Sequence, residues 1–218
     1  MIPPETALLT ESELAALPVF PLPNAVLFPG VSMGLHVFEP RYRAMMQHCL
    51  EHGPRAMAIA HLRPGFEKDY EMQPAIYEIA GAGRIVSHRG NPDGTFDLIL
   101  EGTQRVRLHE LPFVAPFRRA RAETLADTND DDAATKRVIE ALGLAEMIRG
   151  MVTTSSVPIP PPSPRGAAKM IDFVIDHMVR DPARRQELLE IRDVERRVLL
   201  VHEMVRGDRD REALRRMN

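Results

Sequence analysis

Two stretches decide the fold of this 218-residue sequence: LPVFPLPNAVLFPG, from Leu17 to Gly30, and HVFEPRY, from His36 to Tyr42. Proline fixes φ and withholds an N–H donor, so the first stretch is typical of edge strands and turns. The prolines that carry this prediction are Pro18, Pro21, Pro23 and Pro29. The large apolar residues between them are candidates for the core: Phe20, Leu22, Leu27 and Phe28.

Alternating apolar and polar residues run through most of the first half of the chain. Residues 95–100 and 104–111 alternate with a period of two, which predicts half-buried strands. The turn sequence Asn91-Pro-Asp-Gly94 predicts a hairpin that joins residues 75–88 to the strand at 95–100. A further strand is predicted over 56–62.

One predicted helix follows the second motif and contains a pattern that resembles a metal site. Its apolar stripe consists of Tyr42, Met45, Met46, Cys49 and Leu50. HCLEH spells the inverted zinc-peptidase motif, in which His48 and His52 would bind zinc and Glu51 would act as base. A Gly-Pro pair ends the helix directly afterwards, and the cation Arg41 lies along the same flank. We therefore expect no metal and no other cofactor, and a zinc metallopeptidase is the remote alternative.

Helical patterns replace the strand patterns after about residue 125. Acidic residues at 130–132 favour a helix N-terminus, and an apolar stripe follows them: Val138, Leu142, Ala145 and Ile148. A second helix is predicted from Met170, Ile171, Val174, Ile175 and Met178. A third begins after Asp181-Pro182 and continues through a narrow seam: Ile191, Val194, Val198, Val201 and Val205. That seam is typical of packing inside a bundle, with pairing to a second chain as the alternative. The proline-dense segment 153–164 predicts a stiff, extended connector.

The composition limits the classes of function. Hydrophobic residues make up 44% of the sequence, which is typical of a globular protein. The formal net charge of −3 gives no overall attraction to nucleic acid. A single cysteine, Cys49, excludes an intramolecular disulfide. The N-terminus lacks a secretory pattern and no apolar run approaches the ~18 residues of a membrane span, so we expect a cytoplasmic protein with no membrane partner.

The two opening motifs, in this order and spacing, resemble the N-terminal domain of the Lon protease family. Shorter matches follow at 83–85, at 100–106 and, in the C-terminal half, at 186–190 with Glu195-Arg196. The resemblance implies a stand-alone bacterial member with an α+β fold, in which a PUA-like β-rich subdomain with a barrel-like sheet and one helix precedes a C-terminal α-helical bundle. The implied bounds are an N-terminal tail over 1–14, the β subdomain over 15–125 and the helical subdomain over 126–218.

The resemblance also implies a role in recognising unfolded or tagged polypeptides, in protein quality control or regulated proteolysis. The expected partners are such polypeptides and an ATPase or protease, with a homo-oligomer through the C-terminal helix as a further alternative. The sequence contains no G-x-x-x-x-G-K-[ST] phosphate loop. Lys169 follows Ser163 across a Pro-Arg-Gly break, which disfavours a Ser–Lys dyad. We therefore expect a module that is not an enzyme and has no catalytic residues.

The second motif supplies the predicted binding residues. Phe38, Glu39, Arg41 and Tyr42 are predicted to line a peptide-binding groove, although the same residues also suit a purely structural role. An extended peptide adding to an exposed strand edge is the alternative mode. RNA binding is the alternative function, because PUA-like folds include RNA binders. The basic residues that would serve it, or form a solvated sheet face, are Arg105, Arg107, Arg118, Arg119 and Arg121.

Overall fold

Two groups of secondary-structure elements follow one another along the chain, in a computed structural model that describes residues 7–70, 72–131 and 166–204. The strand-rich elements are α1 (Glu11–Leu14), β1 (Leu17–Leu22), β2 (Ser32–Val37), α2 (Pro40–Glu51), β3 (Ala56–His61), a 3-10 turn (Phe66–Lys68), β4 (Ile79–Gly90), β5 (Phe96–Glu110) and β6 (Arg118–Thr124). The later helices are α3 (Ala167–Met178), α4 (Pro182–Glu190) and α5, helical over 194–204. This α+β content confirms the predicted fold class.

The chain divides into two compact units. One contains Pro3–Ala126 together with Asp181–Glu190, so α4 belongs to the strand-rich unit. The other contains the described residues 127–131, 166–180 and 191–204. Within the described ranges, no helix is both long and apolar enough to cross a membrane.

The strands of the first unit close into a small barrel. The sheet order is β2-β5-β4-β3-β1-β6, and β6 also pairs with β5, so the strands from β5 to β6 form a ring. Strands β1 and β3 run parallel, and the other pairs are antiparallel. The long β5 makes closure possible, because its first half pairs with β2 and its second half pairs with β6.

The proline-rich strand β1 is an interior strand, so the prediction of an edge strand is wrong. Its neighbours are staggered. Leu17–Val19 pairs with β6, and Val19–Leu22 pairs with β3. Pro18 thus lies opposite β6 alone, and Pro21 lies opposite β3 alone. Each of the two prolines therefore has a paired strand on one side only. Such a position suits a residue that lacks a backbone N–H.

The LFPG part of the first motif lies directly against two glycines of the barrel. Leu27 and Phe28 are fully buried, as predicted. A Cβ at Gly81 would collide with the Leu27 carbonyl oxygen, and a Cβ at Gly102 would collide with the Phe28 carbonyl oxygen. The Gly30 N–H donates to the Gly102 carbonyl at 2.7 Å. Glycine at 81 and 102 therefore lets the backbone of the motif approach the strands.

Helix α2 and the β4–β5 hairpin confirm their sequence predictions. Pro40 occupies the first turn of α2, and four residues of the stripe are buried: Tyr42, Met45, Met46 and Cys49. The hairpin turn has Gly94 at a φ of 80°, and Gly90 pairs with Phe96. The predicted strand over 56–62 is β3, and 95–100 and 104–111 are parts of the single strand β5.

The N-terminal segment is anchored to the strand-rich unit from Ala7 onwards. Thr10 caps α1, and its capping box is completed by Glu13. Leu9 and Leu14 are buried in the same core cluster as β1 and β3. Two leucines of the stretch that the sequence placed in a tail therefore contribute to the core.

The predicted helix at α3 is confirmed, and the prediction of one continuous last helix is wrong. The sequence predicted one helix from Pro182 through Val205, but α4 ends at Glu190 and α5 begins at 194. Asp193 causes the break, because its carboxylate accepts the Arg196 N–H at 3.0 Å and its backbone bridges to Thr128. The seam valines at 194, 198 and 201 are fully buried within the single chain, as predicted for bundle packing.

Helix α5 carries a buried cation, Arg197, that joins distant parts of the helical unit. Its Nη1 donates to Asp127 Oδ1 and to the Ile191 carbonyl, each at 2.7 Å. Its Nε lies 3.4 Å from Asp172 of α3, whose side chain is equally buried. Asp130 accepts the Ala168 N–H in the first turn of α3. The predicted stripe at 138–148, the proline-rich connector and Val205 lie outside the described residues.

Candidate functional site

The acidic and basic residues of the second motif form a closed hydrogen-bonded cluster with Tyr70. Arg41 Nε donates to Glu39 Oε2 at 2.9 Å, and Arg41 Nη1 donates to the Tyr70 carbonyl at 3.1 Å. The Tyr70 hydroxyl donates to Glu39 Oε1 at 2.7 Å. We call Glu39, Arg41 and Tyr70 the Glu39 cluster. Glu39 occupies the N-cap position of α2 without capping it through its side chain, which leaves both carboxylate oxygens for these partners.

Aromatic rings enclose the guanidinium of the Glu39 cluster. The Arg41 Cζ lies 4.6 Å from the ring centre of Tyr42 and 5.0 Å from that of Tyr70. Burial, and then the bond to Glu39, raises the pKa of Tyr70, so its hydroxyl remains a donor at neutral pH. These hydrogen bonds, the 2.8 Å ion pair between Arg41 Nη2 and Glu39 Oε2 and the ring contacts make the cluster a fixed platform, with no group placed for proton transfer or nucleophilic attack.

Tyr42 lies behind this platform. It is 5% exposed, and its ring centre is 4.4 Å from that of Phe20 in β1. Desolvation by burial raises the pKa of Tyr42 to about 12. Of the four predicted site residues, Tyr42 thus supports the others from the core.

Phe38 is the outward-facing member of the predicted set. Its side chain is 63% exposed although it directly precedes the Glu39 cluster and directly follows the buried Val37. The ring of His36 stacks beside it with centres 6.1 Å apart. An exposed phenylalanine held at the junction of a strand and a rigid platform is suited to binding an apolar side chain.

Tyr70 was missing from the sequence prediction. It lies 29 residues after Arg41, in the loop that follows the 3-10 turn, and it packs edge-on against Phe66 at 6.2 Å. The spacing of two aromatic residues by four was the available signal. Nothing local connected that pair to the second motif.

The proposed basic face for RNA is interrupted by burial. Arg105 is 1% exposed and its Nε donates to the Leu189 carbonyl at 3.1 Å. Arg118 is 9% exposed, donates to the Pro74 carbonyl at 2.7 Å and lies 3.3 Å from Glu110. The prediction of a solvated face is therefore wrong for two of the five arginines.

The histidines of the zinc-like motif make aromatic contacts. The His48 ring lies 5.4 Å from that of Phe117 and 6.5 Å from that of His52. Burial, then Arg119 of β6, then His52 lower the pKa of His48. Across residues 7–70, 72–131 and 166–204, no three His, Cys, Asp or Glu side chains lie together as a metal site.

The closed barrel and the helices of the chain give an α+β fold, and the second motif places a hydrogen-bonded platform beside an exposed aromatic ring. The family described as the ATP-dependent protease La (LON) substrate-binding domain matches residues 16–207. The chain belongs to this family.

The similar proteins are consistent with that assignment. Lon protease 2 of Syntrophobacter fumaroxidans is 25% identical over 80% of this chain and 22% of its own length. The Lon protease of Escherichia coli K12 is 24% identical over 91% of this chain and 26% of its own length. This chain therefore spans about a quarter of the curated relatives that it matches.

Two solved structures share the fold. The Lon N-terminal domain protein from Xanthomonas campestris superposes with a TM-score of 0.62 at 23% identity, covering 85% of this chain and 96% of that one. The N-terminal domain of a Mycobacterium avium complex Lon protease gives a TM-score of 0.59 at 14% identity, covering 86% and 96%.

Proposed function

We propose that this chain is a non-catalytic recognition module for unfolded or tagged polypeptides, and that it acts in protein quality control or regulated proteolysis with an ATPase or protease partner. The family assignment to a substrate-binding domain supports the binding role. The observation that carries the proposal is the exposed ring of Phe38 beside the rigid Glu39 cluster.

The proposed role of each residue in the site follows from its contacts. Glu39 and Arg41 satisfy each other and Tyr70, so they fix the local backbone and offer no strong charge to a ligand. Phe38 supplies the apolar contact. Unfolded chains differ from folded ones chiefly in exposing apolar side chains, so an exposed ring on a fixed support selects for them.

The test is a fluorescence anisotropy titration with a labelled, reduced and carboxymethylated small protein as the unfolded probe. Loss of an anchoring aromatic contact typically costs about 1–2 kcal/mol, so Phe38→Ser should weaken binding about five- to thirtyfold. Phe113→Ser is the matched control, because Phe113 is an exposed aromatic (46%) in the β5–β6 loop. It should bind like the wild type.

Two results would contradict the proposal. If the wild type does not bind the probe at micromolar concentration, the recognition function is wrong. If Phe113→Ser weakens binding and Phe38→Ser does not, the function stands but the surface is misplaced. Tyr42→Ala is a poor test, because it would open a cavity behind the platform.

A further inference from the structure

Strand β2 has one open edge in the described part of the chain. It pairs with β5 from Ser32↔Glu101 to Val37↔Phe96, and no other described strand pairs with it. Edge strands are normally protected by proline, lysine or a bulge. The sequence of β2, SMGLHV, contains neither proline nor lysine, and its register with β5 is unbroken.

Two hydrogen bonds fix which backbone groups of β2 face outward. At the hairpin turn, the Asn91 N–H donates to the Thr95 carbonyl at 2.9 Å, so odd-numbered residues of β5 bond toward β4. At the other end, the Gly102 N–H donates to the Val31 carbonyl at 2.9 Å, so even-numbered residues bond toward β2. In this antiparallel register the partners of those even-numbered residues are Met33, Leu35 and Val37.

The alternate residues of β2 therefore direct their N–H and C=O groups to the open edge. These are Ser32, Gly34 and His36, and all three are exposed. Each can exchange two hydrogen bonds with a strand laid alongside. Main-chain bonds of this kind bind an extended peptide with little dependence on its sequence.

On the outer face of the sheet beside this edge, exposed apolar side chains form a shallow floor, and Gly34 adds no side chain to it. Gly34 pairs with Ile99, and a Cβ built on Gly34 would meet no atom within 4 Å. Ile99 is 44% exposed. Val86, on the neighbouring strand β4, is 49% exposed. It is the extra residue of a β-bulge between the strand partners of Leu100 and Ile99.

The carboxylate of Asp97, near this floor, is paired by three neighbouring side chains. Asp97 accepts bonds from His36 Nδ1 at 2.7 Å, from Arg89 at 2.9 Å and from Asn91 at 3.0 Å. The surface thus combines main-chain donors and acceptors, an apolar floor and paired charges. Its complement is an extended, uncharged segment of an unfolded chain.

We propose that a client polypeptide adds to β2 as a further strand, with a large apolar side chain lying over Gly34 against Ile99 and Val86. This inference rests on the proposed polypeptide-binding function and specifies how the client is held. Phe38 lies at the end of the same strand and extends the apolar contact along the bound segment.

Two substitutions at Gly34 separate the main-chain bonds from the apolar notch. Gly34→Pro removes the outward N–H without removing a bond to β5. Gly34→Val keeps the N–H and fills the notch. The probes are the unfolded protein used above and labelled ten-residue peptides of alternating valine and threonine, with phenylalanine or alanine at the centre.

Strand addition predicts that Gly34→Pro weakens every probe at least tenfold. Gly34→Val should weaken only the phenylalanine peptide, by about fivefold. N-methylation of alternate amides of the peptide should abolish binding to the wild type, which tests the same bonds if Gly34→Pro fails to fold. Thermal unfolding of each variant establishes that it is folded.

The outcomes distinguish the two proposals. If the wild type and Gly34→Pro bind all probes equally while Phe38→Ser is weak, strand addition is overturned and the recognition function stands. If the wild type binds no probe, the recognition function fails first. If β2 instead pairs with a second copy of this chain, Gly34→Pro will convert a sedimenting dimer to a monomer without changing client binding, and that result also overturns the proposal.

Discussion

Replacing Glu13 by glutamine should remove a pH-dependent part of the stability of the barrel. Arg84 of β4 holds the Glu13 carboxylate with two bonds, Nη1 to Oε1 at 2.7 Å and Nη2 to Oε2 at 2.9 Å. The same guanidinium donates to the carbonyls of Ala7 and Leu8 at 2.9 and 3.0 Å. One arginine thus fastens the N-terminal segment to the sheet, and the carboxylate of Glu13 completes its hydrogen bonding.

The magnitude follows from the pKa of Glu13. The bonds to Arg84 are the largest cause that lowers it, from 4.5 to about 2. At about 1.4 kcal/mol per pKa unit, that difference corresponds to about 3 kcal/mol. The side chains remain 25% (Arg84) and 21% (Glu13) exposed, and solvent screens such pairs. We therefore expect about 1–2 kcal/mol.

The sign of the pH dependence is set by a lowered pKa. A carboxylate whose pKa is lower in the folded than in the unfolded protein stabilises the fold above pH 4.5, and this contribution is lost as the pH falls toward 2. Glu13→Gln keeps the shape of the capping box, since glutamine also serves at that position, and it removes the charge together with one of the two acceptors of Arg84.

The assay is urea unfolding of the wild type and Glu13→Gln at intervals from pH 2 to pH 7. The free energies of unfolding should differ by about 1–2 kcal/mol above pH 5, and the difference should shrink steadily as the pH falls toward 2. Glu11→Gln, in the first turn of the same helix, controls for loss of a helix-terminal charge. A difference between wild type and Glu13→Gln that is constant across this range would refute the reasoning.

Three further predictions test the fold. Gly102→Ala should lower the free energy of unfolding by about 1–3 kcal/mol, because the added Cβ meets the Phe28 carbonyl. In the same urea experiment, Gly34→Ala should change the free energy of unfolding by less than about 1 kcal/mol. Cys49 should react with a thiol reagent at neutral pH only in urea, because burial raises its pKa to about 12; rapid labelling of the native protein would contradict this. Asp193→Ala should cost about 1 kcal/mol through loss of the α5 cap, seen as a lower thermal midpoint; an unchanged midpoint would show that the cap does not separate α4 from α5.

The parts of the fold that the sequence predicted correctly are those decided by local interactions. Helix α2 depends on Pro40 at its start and on an apolar stripe within 12 residues. The β4–β5 hairpin depends on a turn in which Gly94 adopts a positive φ. Both signals lie within a few residues of the structure that they determine.

The wrong predictions concern residues whose partners are distant in sequence. The interior position of β1 follows from pairing with strands about 40 and 100 residues away. The end of α4 depends on Asp193, whose backbone bridge is to Thr128. Arg105 alternates with buried valine and leucine as a surface residue would, yet its partner is a carbonyl of α4. Periodicity describes one element and contains no information on these contacts.

The roles of the candidate site residues also depend on a residue that is distant in sequence. Phe38, Glu39 and Arg41 were predicted from resemblance, but their separate roles required Tyr70, whose position comes from a different loop. Because Glu39 and Arg41 bond to each other and to Tyr70, we propose that the charged residues of the motif support the site rather than contact the ligand. The binding surface that we propose consists of an exposed ring and the backbone of the strand before it. Neither discriminates strongly among sequences, so a surface of this kind fits clients that share an unfolded state and no common sequence.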